Sequence, residues 1–213
     1  MRMRKKPNLI PRMERCASVQ IKNPEAYRGH WRDIMPGCKN IFIELGCGKG
    51  KFIAETAPNY PDTLFIAVER VPDAMVVGME RVFDGGINNV RFVDMDVSRL
   101  CEVFEDGEAD RIYINFCDPW PKKSHAKRRL TAPGFLKLYR SVLSENAEIH
   151  FKTDNLPLFE YSLGSFKESG YELFDVTFDL HGNGICGVMT DYEKKFHEQG
   201  IKINRCVAKP IRA

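Results

Sequence analysis

No apolar run in this chain approaches the roughly 20 residues needed to cross a bilayer, so a membrane-spanning helix is excluded. The basic N-terminus has no apolar stretch behind it, and a signal peptide is therefore not expected. The seven cysteines fall at 16, 38, 47, 101, 117, 186 and 206, with no CxxC pair among them. That spacing offers neither a zinc site nor a disulfide framework, so no metal is expected and the thiols are read as reduced, in the cytoplasm. Repeats, linkers and low-complexity stretches are missing beyond a basic N-terminal arm. Disorder is excluded in turn, because hydrophobic residues make up 43% of the 213. A chain of this length buries enough surface to fold without staples.

Net charge is also small, at +3, but it is unevenly spread. Residues 1–15 carry six bases (Arg2, Arg4, Lys5, Lys6, Arg12, Arg15) against Glu14 alone. Residues 122–129, KKSHAKRR, carry five bases and no acid. The rest of the chain is therefore net acidic. Concentrated basic blocks on an acidic body suit a polyanionic partner. The organisation expected is an extension over 1–30, partly flexible, and a single domain over 31–213.

Strands and helices alternate along the rest of the chain. Buried strands are expected at 41–45, 64–68, 90–93, 111–116 and 148–152, with two more at 171–178 and 201–207. Helices are expected at 49–57, at 72–83 behind Pro72, at 156–169, and after Thr131 as a cap, where Phe135, Leu136, Tyr139, Val142 and Leu143 recur at helical spacing. Thr190-x-x-Glu193 reads as a capping box opening a further helix that carries Phe196, and Asp154-Asn155 as a possible cap for the helix from Leu156. Seven strands with intervening helices predict an α/β fold, a Rossmann-like, doubly wound, mostly parallel sheet. Ligands of such sheets lie beyond the carboxyl ends of the strands. An acid stands at nearly every such end: Glu44, Glu69, Asp96, Asp118 and Asp154.

The first strand runs into Gly46-Cys47-Gly48-Lys49-Gly50. Glycines here permit a tight turn and close approach of backbone to a ligand. The dinucleotide fingerprint G-x-G-x-x-G is absent, since its last position is Lys51, and NAD is disfavoured. Glu44 would repel a pyrophosphate but suit an amino group or a sulfonium. Glu69 can accept from both hydroxyls of a ribose, and Asp96 from an adenine amino group. Together these features resemble the class I S-adenosylmethionine-dependent methyltransferases.

The fourth strand is followed by Asp118-Pro119-Trp120-Pro121-Lys122-Lys123, a loop stiffened by two prolines. The stretch from Asp118 to Thr131 closely resembles the tRNA (guanine-N7-)-methyltransferase family. So do Phe151-Lys152-Thr153-Asp154-Asn155, Leu158-Phe159-Glu160 and Met189-Thr190-Asp191-Tyr192-Glu193-Lys194-Lys195-Phe196. Three positions depart from the family pattern: Ser124 for Arg, Asp191 for Glu and Gly187 for Asn. The resemblance implies S-adenosylmethionine held by Glu44, Gly46, Gly48, Gly50, Glu69, Asp96 and Asp118, with Asp118 the catalytic residue. It implies substrate contacts at Lys122, Asp154, Thr190, Asp191, Tyr192 and Glu193. It implies RNA contacts at Lys123, Ser124, His125, Lys127, Arg128 and Arg129. The partner expected is tRNA, for a monomer or homodimer. Two other readings stand beside it: a methyltransferase of another RNA or of a base amine, and a noncatalytic RNA-binding module on the same fold.

Overall fold

In the computed structural model, residues 7–212 are described; Arg2, Arg4, Lys5 and Lys6 of the basic arm lie outside them. The chain divides into two compact units, one ending at Phe104 and one beginning at Glu105.

The first unit starts with helix α1 (Leu9–Arg15) and three short 3-10 turns. It continues as β1 (Asn40–Leu45), α2 (Lys51–Thr56), β2 (Thr63–Glu69), α3 (Pro72–Asp84), β3 (Val90–Asp94) and α4 (Leu100–Val103). β1 pairs in parallel with β2, and β2 with β3. Residues 41–45 of β1 and 63–68 of β2 are buried throughout, as expected of strands covered on both faces. In α3, Pro72 occupies the first turn and Ala74, Met75, Val76, Gly78, Met79 and Val82 form the buried stripe.

The segment before β1 is bonded into this unit. Arg12 donates to both carboxylate oxygens of Glu80 (2.7 and 2.6 Å) and Arg15 to both of Asp84 (2.7 and 3.2 Å), so α1 lies along α3. Ile21 N–H donates to Phe92 O on the outer strand (2.9 Å). Trp31 is fully buried, donates from Nε1 to Val103 O (2.9 Å) and stacks on Phe104.

The second unit holds β4 (Ala109–Asn115), α5 (Pro133–Val142), β5 (Leu143–Thr153), α6 (Leu156–Glu168), β6 (Tyr171–Thr177), α7 (Asp191–Glu198) and β7 (Asn204–Pro210). β4 and β5 are parallel, while β7 runs antiparallel to both of its neighbours, β5 and β6. The strand order is β3-β2-β1-β4-β5-β7-β6 in a seven-stranded sheet, the doubly wound pattern expected. Two local expectations are corrected. Thr131 does not cap α5, whose N-cap is Ala132. Its hydroxyl instead hydrogen-bonds Ser162 (2.7 Å), and its carbonyl accepts from Ser165 Oγ (2.6 Å), fastening the start of α5 to α6. β5 begins at Leu143 rather than near 148, because Leu143 pairs with Ala109 across a register shift.

Among the described residues no helix is long and apolar enough to cross a membrane, and no group of three or more His, Cys, Asp or Glu residues is arranged to hold a metal ion. All seven cysteines are free thiols.

Candidate active site

In the first unit, the glycine loop leaves β1 with Gly46, Gly48 and Gly50 all at positive φ (73°, 55° and 66°). Two reasons for glycine separate here. A Cβ built on Gly46 or Gly48 meets nothing within 4 Å, so backbone conformation alone demands glycine and the space beside the loop stays open. A Cβ on Gly50 would stand 2.7 Å from Gly78 Cα, so the third glycine lets the loop lie against α3. Gly46 and Cys47 both donate to Val68 O (2.8 and 3.1 Å), tying the loop to the end of β2.

Glu69 completes that tie. Its Oε2 accepts from Gly48 N–H and its Oε1 from Val71 N–H, both at 2.9 Å. Each oxygen keeps a further lone pair for a ligand hydroxyl. Asp96 accepts from Ser98 N–H (2.9 Å) and Ser98 Oγ (2.7 Å) and pairs with Arg70 (3.3 Å). These bonds, the backbone one foremost, hold its carboxyl below the usual aspartate range. Glu44 is buried at the end of β1. Burial, then Glu44 and Glu69, push the Cys47 thiol well up, so it is no nucleophile.

This set fits S-adenosylmethionine. Glu69 and Asp96 present acceptors suited to two ribose hydroxyls and an exocyclic amine, the buried Glu44 adds negative charge beside the loop, and the open face of Gly46 and Gly48 leaves room for backbone contact. The same set repels a pyrophosphate.

In the second unit, Asp118 is exposed on the loop after β4. That loop is held in an unusual path, with Phe116 at φ 53° and Trp120 at φ 42°. Phe116 N–H donates to Lys152 O (2.9 Å). Burial and the Asp118 charge push the Cys117 thiol up to about 12, which leaves it inert. Beyond the loop, residues 123–128 form a 3-10 turn, with Lys122, Lys123, Ser124, Lys127 and Arg128 exposed and His125 half-buried against the Trp120 ring. Arg128 lies over the Trp120 ring (5.0 Å). Arg129 turns back toward the loop, donating to Pro119 O and Trp120 O, each at 3.1 Å.

Asn155 caps α6 by accepting from Leu158 N–H (2.9 Å). Asp154 is thereby released from capping; it is half-buried, and burial raises its carboxyl. Thr190 and Glu193 form the expected capping box on α7. Asp191 and Tyr192 are exposed, and Tyr192 stacks on Phe196, which in turn lies against Phe116.

Glu193, named among the substrate contacts, is turned inward. Its side chain is fully buried. Oε2 accepts from Lys152 Nζ (2.7 Å) and Thr190 N–H (3.2 Å), and Oε1 bonds His181 Nε2 (3.0 Å). His181 Nδ1 accepts from Cys186 N–H (3.2 Å), which places the ring proton on Nε2, where it donates to Glu193. Glu193 therefore orders the segment that carries the buried Thr190 and presents Asp191 and Tyr192. Lys152 and His181 were not among the expected site residues. A lysine inside the buried strand β5 is the signal that implies such a partner.

A family described as "Putative methyltransferase" matches residues 38–206. The chain is 44% identical over 209 residues to a tRNA (guanine-N(7)-)-methyltransferase of Geobacillus kaustophilus, covering 98% of this chain and 96% of that protein. It is 45% identical over 206 residues to a protein of the same name from Bacillus subtilis, covering 96% and 97% of the two chains. The solved structure of an antibiotic-related methyltransferase superposes with a TM-score of 0.63 at 18% identity, covering 86% of this chain and 94% of that one. At that identity the likeness is one of fold.

Proposed function

The chain belongs to the tRNA (guanine-N(7)-)-methyltransferase family, and from that membership we infer that it transfers a methyl group from S-adenosylmethionine to N7 of a guanine in tRNA, the guanosine of the variable loop. The observation that carries this reading is the 44% identity over nearly the whole chain to a relative of that name. When bound, S-adenosylmethionine supplies a methyl group activated by its sulfonium.

Guanine N7 offers a lone pair and has no proton to lose, so no general base is required. The task of the protein is orientation and charge placement. Glu69 takes the ribose hydroxyls on the oxygens it already turns toward Gly48 and Val71. Asp96 takes the adenine amino group, and Glu44 the positive end of the amino acid. Asp118, exposed on its stiff loop, stabilises the positive charge that develops on the base. Asp154 accepts from the Watson–Crick edge, whose N1–H and 2-amino donors distinguish guanine from adenine. Thr190 Oγ1 accepts from Glu193 N–H (2.9 Å), which leaves its own proton to donate, with Lys122, toward O6. Lys123, Lys127 and Arg128 grip phosphates, since A-form RNA hides its base edges in a deep groove.

Incubating the protein with labelled S-adenosylmethionine and bulk tRNA, followed by nucleoside mapping, tests the reading. Labelled 7-methylguanosine is expected. Label in a methylated base amine, or none at all, overturns it.

A further inference from the structure

Arg129 belongs by sequence to the basic run 122–129, but its surroundings differ from those of the other four bases. Lys122, Lys123, Lys127 and Arg128 are exposed, whereas Arg129 is half-buried. Its Nε donates to Pro119 O and its Nη2 to Trp120 O, both at 3.1 Å, so one planar group bridges two successive carbonyls. The guanidinium lies 4.2 Å above the ring of Tyr161 on α6. The next residue of that helix, Ser162, is bonded to Thr131 at 2.7 Å, so the same stretch is pinned on both sides of Leu130.

The bridged segment needs holding. Trp120 has φ 42°, a left-handed backbone that a bulky side chain adopts only when its surroundings over-determine it. Arg129 restrains that residue through its carbonyl, and Arg128 restrains it through its ring at 5.0 Å. Asp118 lies immediately before the two bridged residues.

We propose that Arg129 is a positioning residue for Asp118, setting the path of the Asp118–Pro121 loop through the Pro119 and Trp120 carbonyls with Tyr161 as its seat, and is not a phosphate contact. This rests on the role of Asp118 in methyl transfer given above. Lysine cannot replace it, because a single ammonium does not span two carbonyls while lying flat on a ring. It would replace arginine at a simple phosphate contact with little loss.

The test compares Arg129→Lys, Tyr161→Leu and Lys127→Ala with the unaltered chain, measuring kcat, KM for tRNA and the salt dependence of tRNA binding. Arg129→Lys is expected to lower kcat by about ten-fold or more, with KM for tRNA and cofactor affinity by calorimetry each within about two-fold of the unaltered chain. Tyr161→Leu is expected to lower kcat in the same way, and the double variant to add little further loss. Lys127→Ala, at a phosphate contact, is expected to raise KM for tRNA, weaken tRNA binding and reduce the salt slope by about 1. Tryptophan fluorescence supplies a readout besides turnover: with the fully buried Trp31 as a constant background, a loosened Trp120 should lower the anisotropy in Arg129→Lys, and Lys127→Ala should leave it unchanged. A near-normal kcat in Arg129→Lys overturns the proposal. Should that variant fail to fold, a normal kcat in Tyr161→Leu overturns it equally. Failure of the unaltered chain to form 7-methylguanosine would instead overturn the role of Asp118 itself.

Discussion

At the scale of single residues, the candidate site separates groups that carry chemistry from groups that hold them. Asp118 is exposed and contributes little to the core. Asp118→Ala should therefore leave stability within about 0.5 kcal/mol while lowering turnover by about 100-fold or more; urea unfolding and initial rates check the two halves. Asp154 is different, because burial raises its carboxyl above the ordinary value of 3.8. It takes up a proton earlier than a free aspartate as pH falls, and in the role proposed for it the guanine edge then loses an acceptor. The acid limb of kcat/KM should accordingly lie above 3.8, and Asp154→Asn should flatten it. The sign for stability is opposite. A raised carboxyl contributes stability below its unfolded pKa and loses that contribution as pH rises through the folded one. An acid loss of activity at this group is thus not unfolding, which circular dichroism across the same range will verify. Glu193 illustrates what a residue type alone does not convey. Its place in the Thr190–Glu193 box is readable from spacing, but its burial depends on Lys152, 41 residues earlier in the chain.

At the scale of elements, the glycine loop offers a paired comparison. Gly46→Ala meets only the left-handed backbone penalty, about 1 kcal/mol, because its Cβ would stand in open space. Gly50→Ala adds a clash with Gly78 Cα at 2.7 Å and should cost about 3 kcal/mol or more. Thermal unfolding of the two variants should rank them in that order; equal losses would refute the division. Strands β1 to β4 and helix α3 were legible because each is a local signal: an apolar run, a proline at the start, glycines at the end. The first half of β5, with Ser144, Glu145 and Asn146, was not legible. Those residues form no apolar run, and they lie where the pairing with β4 shifts register between Leu143 and Glu148. Helix α1 escaped for a similar reason. It is seven residues long, marginal by itself, and depends on Arg12 reaching Glu80 across 68 residues.

At the scale of the whole molecule, the described bases of the two basic blocks part company. Arg12 and Arg15 are engaged with acids of α3. The cluster at 122–129 keeps four exposed cations, Lys122, Lys123, Lys127 and Arg128. If Lys123, Lys127 and Arg128 each meet one phosphate while Lys122 serves the base, log affinity for tRNA should fall with log salt at a slope of about −2 to −3. Filter binding between low and moderate salt measures it, and a flat response would remove the cluster from RNA recognition. The strand-end acids were the most legible part of the site, since doubly wound sheets bind ligands there. The sorting of acids into acceptors and holders was the least legible, since it is made by contacts distant in sequence.

The Glu69 latch also bears on how a ligand is received. The carboxylate that would take the ribose already fixes Gly48 and Val71, so the glycine loop has its shape before any ligand arrives. Little conformational freedom remains to be lost on association. Entry should then resemble a key meeting a cut lock, with a simple one-step time course and no slow loop-closing phase.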